Sequence, residues 1–193
     1  MKRYSFCPVC GSRYQTGALG TDSVNAAVTR LVCSSCGFPF WQNSKPAVAA
    51  LITKVMQGRH EILLTRRGVP PFQGMWDLPG GFLENGELPE IGLAREMIEE
   101  LGVRIVQPRL VSMGIDEYPG DDIALEARFV LSLYYRCDIP PDAHIVAADD
   151  VAEAAWFPLD QPPEATAFAS IRGALEVLRA SVKTVSAETS GSG

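Results

Sequence analysis

Glu96, Glu99 and Glu100 are the residues of this chain best placed to do chemistry. Their spacing, i, i+3 and i+4, puts three carboxylates on one face of a helix. Like charges that close repel unless a cation lies among them. Hard oxygen ligands at this density suit magnesium or manganese, held together with substrate phosphates. Arg95 can orient a neighbouring carboxylate through a bidentate pair. Gly80-Gly81, just upstream, offers backbone without a Cβ, which can come close to a ligand or metal. The candidate catalytic set is therefore Arg95, Glu96, Glu99 and Glu100, and the candidate ligands for Mg²⁺ or Mn²⁺ are Gly81, Glu96, Glu99 and Glu100. The plain alternative is an amphipathic surface helix with a solvated acidic side. On either reading Ile91, Ala94, Ile98 and Leu101 form the opposite, apolar stripe that anchors it to a core. Pro89 opens this helix and Gly102 stops it. Gly92 is an oddity inside it, costing about 1 kcal/mol relative to alanine.

A second cluster is made of cysteines. Cys7/Cys10 and Cys33/Cys36 are two C-x-x-C pairs, each followed at once by glycine. A turn that short points both thiolates at one ion, so four of them suit tetrahedral Zn²⁺. Four thiolates leave no open position for water, which makes such a zinc structural. Disulfides or a redox dithiol are the alternatives, and a reducing compartment argues against both. Cys137 ends an apolar strand and reads as a buried structural thiol.

The elements that position these groups can be read in outline. The 193 residues suit one medium domain plus a small appendage. No apolar run approaches a membrane span and the N-terminus has no secretory pattern, so a cytoplasmic protein without membrane attachment is expected. The net charge of −6 is unevenly placed, because residues 1–45 carry Lys2, Arg3, Arg13, Arg30 and Lys45 against Asp22 alone. The remainder is strongly acidic, which argues against nucleic-acid binding by the main domain. The expected organisation is a zinc ribbon over residues 1–42, a main domain over 43–184 and a disordered tail over 185–193. Strands are expected at Ala47–Lys54, His60–Arg66, Arg104–Ile115, Ala124–Cys137 and Ala154–Pro158, with a turn at Gly120-Asp121-Asp122. A last helix is expected over Thr166–Lys183, with Phe168, Ile171, Leu175, Leu178 and Val182 as its apolar face. This order fits an α+β architecture, a mixed sheet with helices on both sides.

The stretch Gly81–Val103 resembles the signature of the Nudix hydrolases, G-x5-E-x7-R-E-U-x-E-E-x-G-U with U apolar. Gly81, Glu87, Arg95, Glu96, Met97, Glu99, Glu100, Gly102 and Val103 meet every fixed position. The flanking RRGVPPFQGMWDLPGGFLENGE is similar to the approach to this box in many members. ADDVAEAAWFPLDQ and AFASIRGAL resemble members that carry an N-terminal zinc ribbon. The resemblance implies an α/β/α sandwich and Mg²⁺-dependent cleavage of a nucleoside diphosphate linked to another group. It also implies a possible homodimer, since many relatives are dimers, and a general base that is either a box glutamate or a carboxylate on a later loop. Asp149, Asp150 and Glu153 are candidates for the latter.

Substrate contacts are sought near the box. Arg66 and Arg67 could hold a phosphate, and Phe72, Trp76 and Tyr118 could stack on a base, with solvation or core packing as the alternatives. Zinc-ribbon members include enzymes that cleave NADH, ADP-ribose or FAD. The NADH-cleaving group carries SQPWPFPxS beyond its box, where this chain has RIVQPRLVSMGIDEYPG. That turns the expectation from NADH, and RNA decapping with it, toward ADP-ribose or FAD. Cleansing of oxidised nucleoside triphosphates is the enzymatic alternative. A nucleotide sensor, or a nucleic-acid-binding regulator using the basic ribbon, is the non-enzymatic one; retention of all the box glutamates favours catalysis.

Overall fold

The computed structural model describes residues 5–14, 19–22, 25–41, 43–119 and 128–190. They fall into two compact units, Met1–Ser44 with Pro119–Arg128, and Lys45–Tyr118 with Phe129–Gly193. In the first, β1 (Leu19–Asp22), β2 (Asn25–Val32) and β3 (Pro39–Trp41) form an antiparallel sheet. Ahead of it, an antiparallel bridge joins Phe6 and Arg13.

The second unit is built around β4 (Lys45–Met56) and β5 (Arg59–Arg67). The short strands β6 (Trp76–Asp77) and β7 (Gly80–Phe82) follow, then helix α1 (Pro89–Leu101). After these come β8 (Val106–Tyr118), β9 (Arg128–Asp138), β10 (Val151–Pro158) and helix α2 (Ser170–Ser190). The sheet order is β10-β5-β4-β9-β8, with β6 on β5 and β7 on β4. β4 runs parallel to β9 and antiparallel to β5 and β7, so the sheet is mixed.

Alternation along β4 builds both halves of the core. Val48, Ala50 and Ile52 pack with Leu63 of β5 against Leu93, Met97 and Leu101 of α1. Leu51, Ile62 and Leu64 point the other way, onto Ile171, Leu175, Leu178 and Val182 of α2. Side chains of period two serve opposite faces, and a helix covers each. This is the expected α+β arrangement with helices on both sides of a mixed sheet. No helix among the described residues is long and apolar enough to cross a membrane.

Three sequence expectations change. The apolar stripe of α1 is Leu93, Met97 and Leu101, while Ile91 and Ile98 are 61 % and 53 % exposed. The helix is rolled toward its acidic side, so the carboxylates border the core instead of opposing it. Helix α2 starts at Ser170, not Thr166, because Asp116 of β8 accepts the Ser170 N–H at 3.0 Å and also its hydroxyl, a cap supplied from a distant strand. Phe168 therefore precedes the helix. At its other end α2 runs on to Ser190, through part of the expected tail, since an established helix propagates through residues that do not break it. The Gly120-Asp121-Asp122 turn, the first residues of the expected Ala124–Cys137 strand and residues 191–193 lie outside the described residues.

Candidate active site

The acidic face of α1 meets β7. Pro89 occupies the first turn, and Gly102 closes the helix in the left-handed region at φ 67°, donating to the Ile98 carbonyl while Val103 donates to Met97. The core stripe 93-97-101 dictates how far each carboxylate lies from solvent. Glu100 falls within that stripe and is 6 % exposed, Glu96 lies at its edge, and the Glu99 side chain, a further step round, is 46 % exposed.

Each carboxylate has a fixed donor. Glu100 accepts the Gly80 N–H at 2.8 Å. Arg95 takes Glu87 in a bidentate pair, Nε and Nη2 each at 3.0 Å from one oxygen, and its Nη1 reaches Glu96 at 2.8 Å and Glu99 at 2.9 Å. Its Nη2 also donates to the Phe82 carbonyl at 3.2 Å. Glu87 in turn accepts the Glu84 N–H at 2.9 Å, so it ties the loop to Arg95. Burial pushes Glu100 up to about 9 despite the Gly80 hydrogen bond, and the charges of Glu96, Asp150 and Asp77 add to it. Burial also raises Glu96, with Arg95 opposing, whereas the Arg95 guanidinium holds Glu87 below the usual carboxylate range. The wall thus holds more negative charge than Arg95 offsets. A hard divalent cation fits that donor set.

The two adjacent glycines here lie close against their neighbours. A Cβ on Gly81 would lie 2.6 Å from the Glu96 carboxyl group, and one on Gly80, at φ 144°, would lie 2.1 Å from the Val48 carbonyl oxygen. Gly92 also has a reason. A Cβ there would stand 2.4 Å from a Leu83 methyl carbon and 2.8 Å from Glu87 Oε2. Gly92→Ala is accordingly expected to lower the thermal midpoint, although helix propensity alone predicts a gain of about 1 kcal/mol. Thermal unfolding checks this, and a raised midpoint would mean that Leu83 and Glu87 move aside freely.

These groups line a cavity of about 390 Å³, within the range of small-molecule sites. Of the sequence candidates, Gly81, Arg95, Glu96, Glu99, Glu100, Arg67, Tyr118, Asp149 and Asp150 line it. Arg66, Phe72, Trp76 and Glu153 are not among its lining residues. Arg66 and Arg67 are successive residues of β5 and point to opposite faces. Arg66 pairs with Glu153 at 2.7 Å, whereas the half-buried Arg67 donates to Asp77 at 3.0 Å and to the Pro71 carbonyl at 2.7 Å. Phe72 packs edge-on against Phe168, and Trp76 edge-on against Phe157.

The sequence reading missed Asp77 and Phe168 as cavity residues. Asp77 is pushed up to about 6 by burial, with Arg67 working against it, and its other oxygen accepts the Leu78 N–H. Phe168 stacks on Tyr118 at 5.8 Å and 18°, and Tyr118 meets Phe82 edge-on, giving the cavity an aromatic wall. Only the placement of Asp77 beside Gly80-Gly81 hinted at its role. The helical spacing of Phe168 with Ile171 and Leu175 concealed the other. Asp149 and Asp150 are brought in by the segment between β9 and β10, where Ala148 donates to the Glu100 carbonyl and Gly68 to the Asp150 carbonyl.

In the N-terminal unit the four sulfurs of Cys7, Cys10, Cys33 and Cys36 lie within 4.8 Å of one another. Cys7–Cys36 and Cys10–Cys33 are separated by 3.7 and 3.6 Å, and all the cysteines are free thiols. Zinc–sulfur bonds of about 2.3 Å in a tetrahedron give edges of about 3.8 Å, so the cluster fits Zn²⁺ and not disulfides. Both knuckles close alike, Gly11 donating to Cys7 and Gly37 to Cys33.

The NUDIX domain family model matches residues 45–177, and the chain belongs to this family. It is 34 % identical over 120 residues to a protein named ADP-ribose pyrophosphatase from Methanocaldococcus jannaschii, covering 62 % of this chain and 66 % of that one. It is 26 % identical over 172 residues to a NAD-capped RNA hydrolase NudC from Stutzerimonas stutzeri, covering 89 % of this chain and 54 % of the relative. The chain thus spans between about half and two thirds of these relatives' lengths. The crystal structure of a NUDIX hydrolase from Nitrosomonas europaea superposes with a TM-score of 0.63 at 26 % identity, covering 86 % of this chain and 85 % of that one.

Proposed function

We propose that this chain hydrolyses the pyrophosphate bond of a nucleoside diphosphate joined to another group, with ADP-ribose or FAD as the first candidates. One observation carries the reading: a single cavity has Glu96, Glu99 and Glu100 on one wall and Tyr118, Phe168 and Arg67 among its other lining residues. Glu96, Glu99, Glu100 and the backbone at Gly81 would hold Mg²⁺ or Mn²⁺. Such an ion, when bound, offsets phosphate charge and lowers the pKa of a bound water. Arg95 keeps Glu96 and Glu99 oriented. Arg67, with its fork fixed by Asp77 and Pro71, presents a cation to a phosphate. The aromatic wall suits a planar base. The general base is a box glutamate or Asp150, whose charge acts on Glu96 and Glu100. Glu153, engaged with Arg66 on the other face of the strand pair, is the weaker candidate.

The name of the Methanocaldococcus relative supports ADP-ribose as the first substrate to try. A second reading, cleavage of NADH or of a NAD-capped RNA end, draws support from the NudC relative, whose match extends over most of this chain. Four thiolates around Zn²⁺ would serve the N-terminal unit structurally. The experiment is a panel of ADP-ribose, FAD, NADH, diadenosine polyphosphates and nucleoside triphosphates, each incubated with Mg²⁺ or Mn²⁺. Release of a nucleoside monophosphate from one of the linked dinucleotide-type compounds is expected. If all stay intact, the hydrolase reading fails and a sensor role replaces it.

A further inference from the structure

Tyr14 stands out in the N-terminal unit. Its hydroxyl is buried and makes no hydrogen bond. Buried polar groups nearly always find a partner, so an orphan calls for an explanation. The backbone supplies one. Tyr14 donates its N–H to the Ser5 carbonyl at 2.9 Å, Cys7 donates to Ser12 at 2.8 Å, and Phe6 bridges Arg13. In that antiparallel register Cys7 stands opposite Ser12, and Tyr14 is its diagonal neighbour on the same face. A diagonal pair is within reach of an aromatic side chain.

We propose that Tyr14 completes the zinc centre by donating its O–H to the Cys7 thiolate, a positioning residue for the metal site. The inference rests on the zinc reading above. Once it becomes a metal-bound thiolate, Cys7 is an acceptor only, and the unpaired Tyr14 donor is the group at hand. A hydrogen bond to a bound thiolate draws charge off the sulfur. That relieves crowding among four negative ligands and makes the sulfur a poorer nucleophile. Outer partners of this kind change metal affinity by about 10- to 100-fold when removed.

The test uses the full chain and Tyr14→Phe, which keeps the ring and loses only the donor. Zinc content is measured first. The variant is then expected to release zinc to a chromophoric chelator about tenfold faster during thiol alkylation. In the Co²⁺-substituted protein its sulfur-to-cobalt charge-transfer band is expected to shift from that of the parent. If the parent holds zinc but release rate and band are the same in both proteins, the Tyr14 proposal is overturned and the zinc reading stands. If the freshly purified, reduced parent holds no zinc, both fall. A measurement on the parent alone guards against a variant that does not fold. In its cadmium-loaded form the Tyr14 hydroxyl proton should be protected from solvent exchange, and rapid exchange overturns the proposal.

Discussion

Glu99→Gln is expected to reduce turnover by about a hundredfold or more, equivalent to about 2.7 kcal/mol of transition-state stabilisation, while leaving the fold intact. Glu99 is half-exposed and its structural contact is one ion pair with Arg95, so removing its charge disturbs little packing. Glu100→Gln should lose turnover as well, but its stability signature differs. In the metal-free protein burial pushes the Glu100 carboxyl up to about 9, from an ordinary value of 4.5. Below 4.5 both folded and unfolded states are protonated. Between 4.5 and about 9 the unfolded chain gives up the proton and the folded chain keeps it, so stability falls as pH rises through that window. Glutamine has no such titration. Thermal unfolding in the presence of a chelator should therefore show a midpoint that declines from pH 5 toward pH 9 in the parent and declines less in Glu100→Gln. Parallel curves would refute the burial argument. Unchanged turnover in both variants would refute the ligand assignment.

The second large effect separates two adjacent glycines. Gly80→Ala forces a side chain into φ 144°, with its Cβ 2.1 Å from the Val48 carbonyl oxygen and 2.7 Å from Ala49 Cα. Backbone on the central strand cannot step aside, so a loss of about 3 kcal/mol or more is expected, read as a sharply lowered unfolding midpoint or as insoluble protein. The three atoms nearest to a Cβ on Gly81 all belong to the Glu96 carboxyl group, at 2.6 to 2.8 Å. A flexible side chain can turn away, so this variant should fold nearly as well as the parent. Its turnover should fall at least tenfold, because Glu96 is driven from its place beside Arg95. Equal unfolding midpoints for the two variants would contradict the close approach at Gly80. Full turnover in Gly81→Ala would remove Glu96 from the catalytic set.

Much of this site is legible before any coordinates. The spacing of Glu96, Glu99 and Glu100 is local, and helical geometry alone makes them neighbours. The two C-x-x-C pairs announce their cluster in the same way, since a tight turn leaves the sulfurs few directions. Pro89 and Gly102 mark the limits of α1 through backbone constraints that need no partner. The continuous apolar runs Ala47–Ile52 of β4 and Ile62–Leu64 of β5 suit a sheet buried on both faces, as it is.

Tertiary structure decided what local rules leave degenerate. Either of two stripes on α1 is apolar enough to face a core, and contact with β7 selects Leu93, Met97 and Leu101. Glu100 is buried against the Gly80 amide in consequence. The start of α2 depends on Asp116, a capping partner 54 positions away. Without that cap, Phe168 reads as one more helical core residue; with it, Phe168 joins Tyr118 in the cavity wall. Arg66 and Arg67 are equivalent in composition, and only the faces of the sheet separate them, one to Glu153 outside and one to Asp77 within. By itself, then, the sequence determined which residues are the candidates for carboxylate and thiolate chemistry, because their spacing is a property of short, locally constrained chain. Which neighbours surround that chemistry was decided only by long-range packing, because burial and sheet pairing choose among local conformations of nearly equal energy.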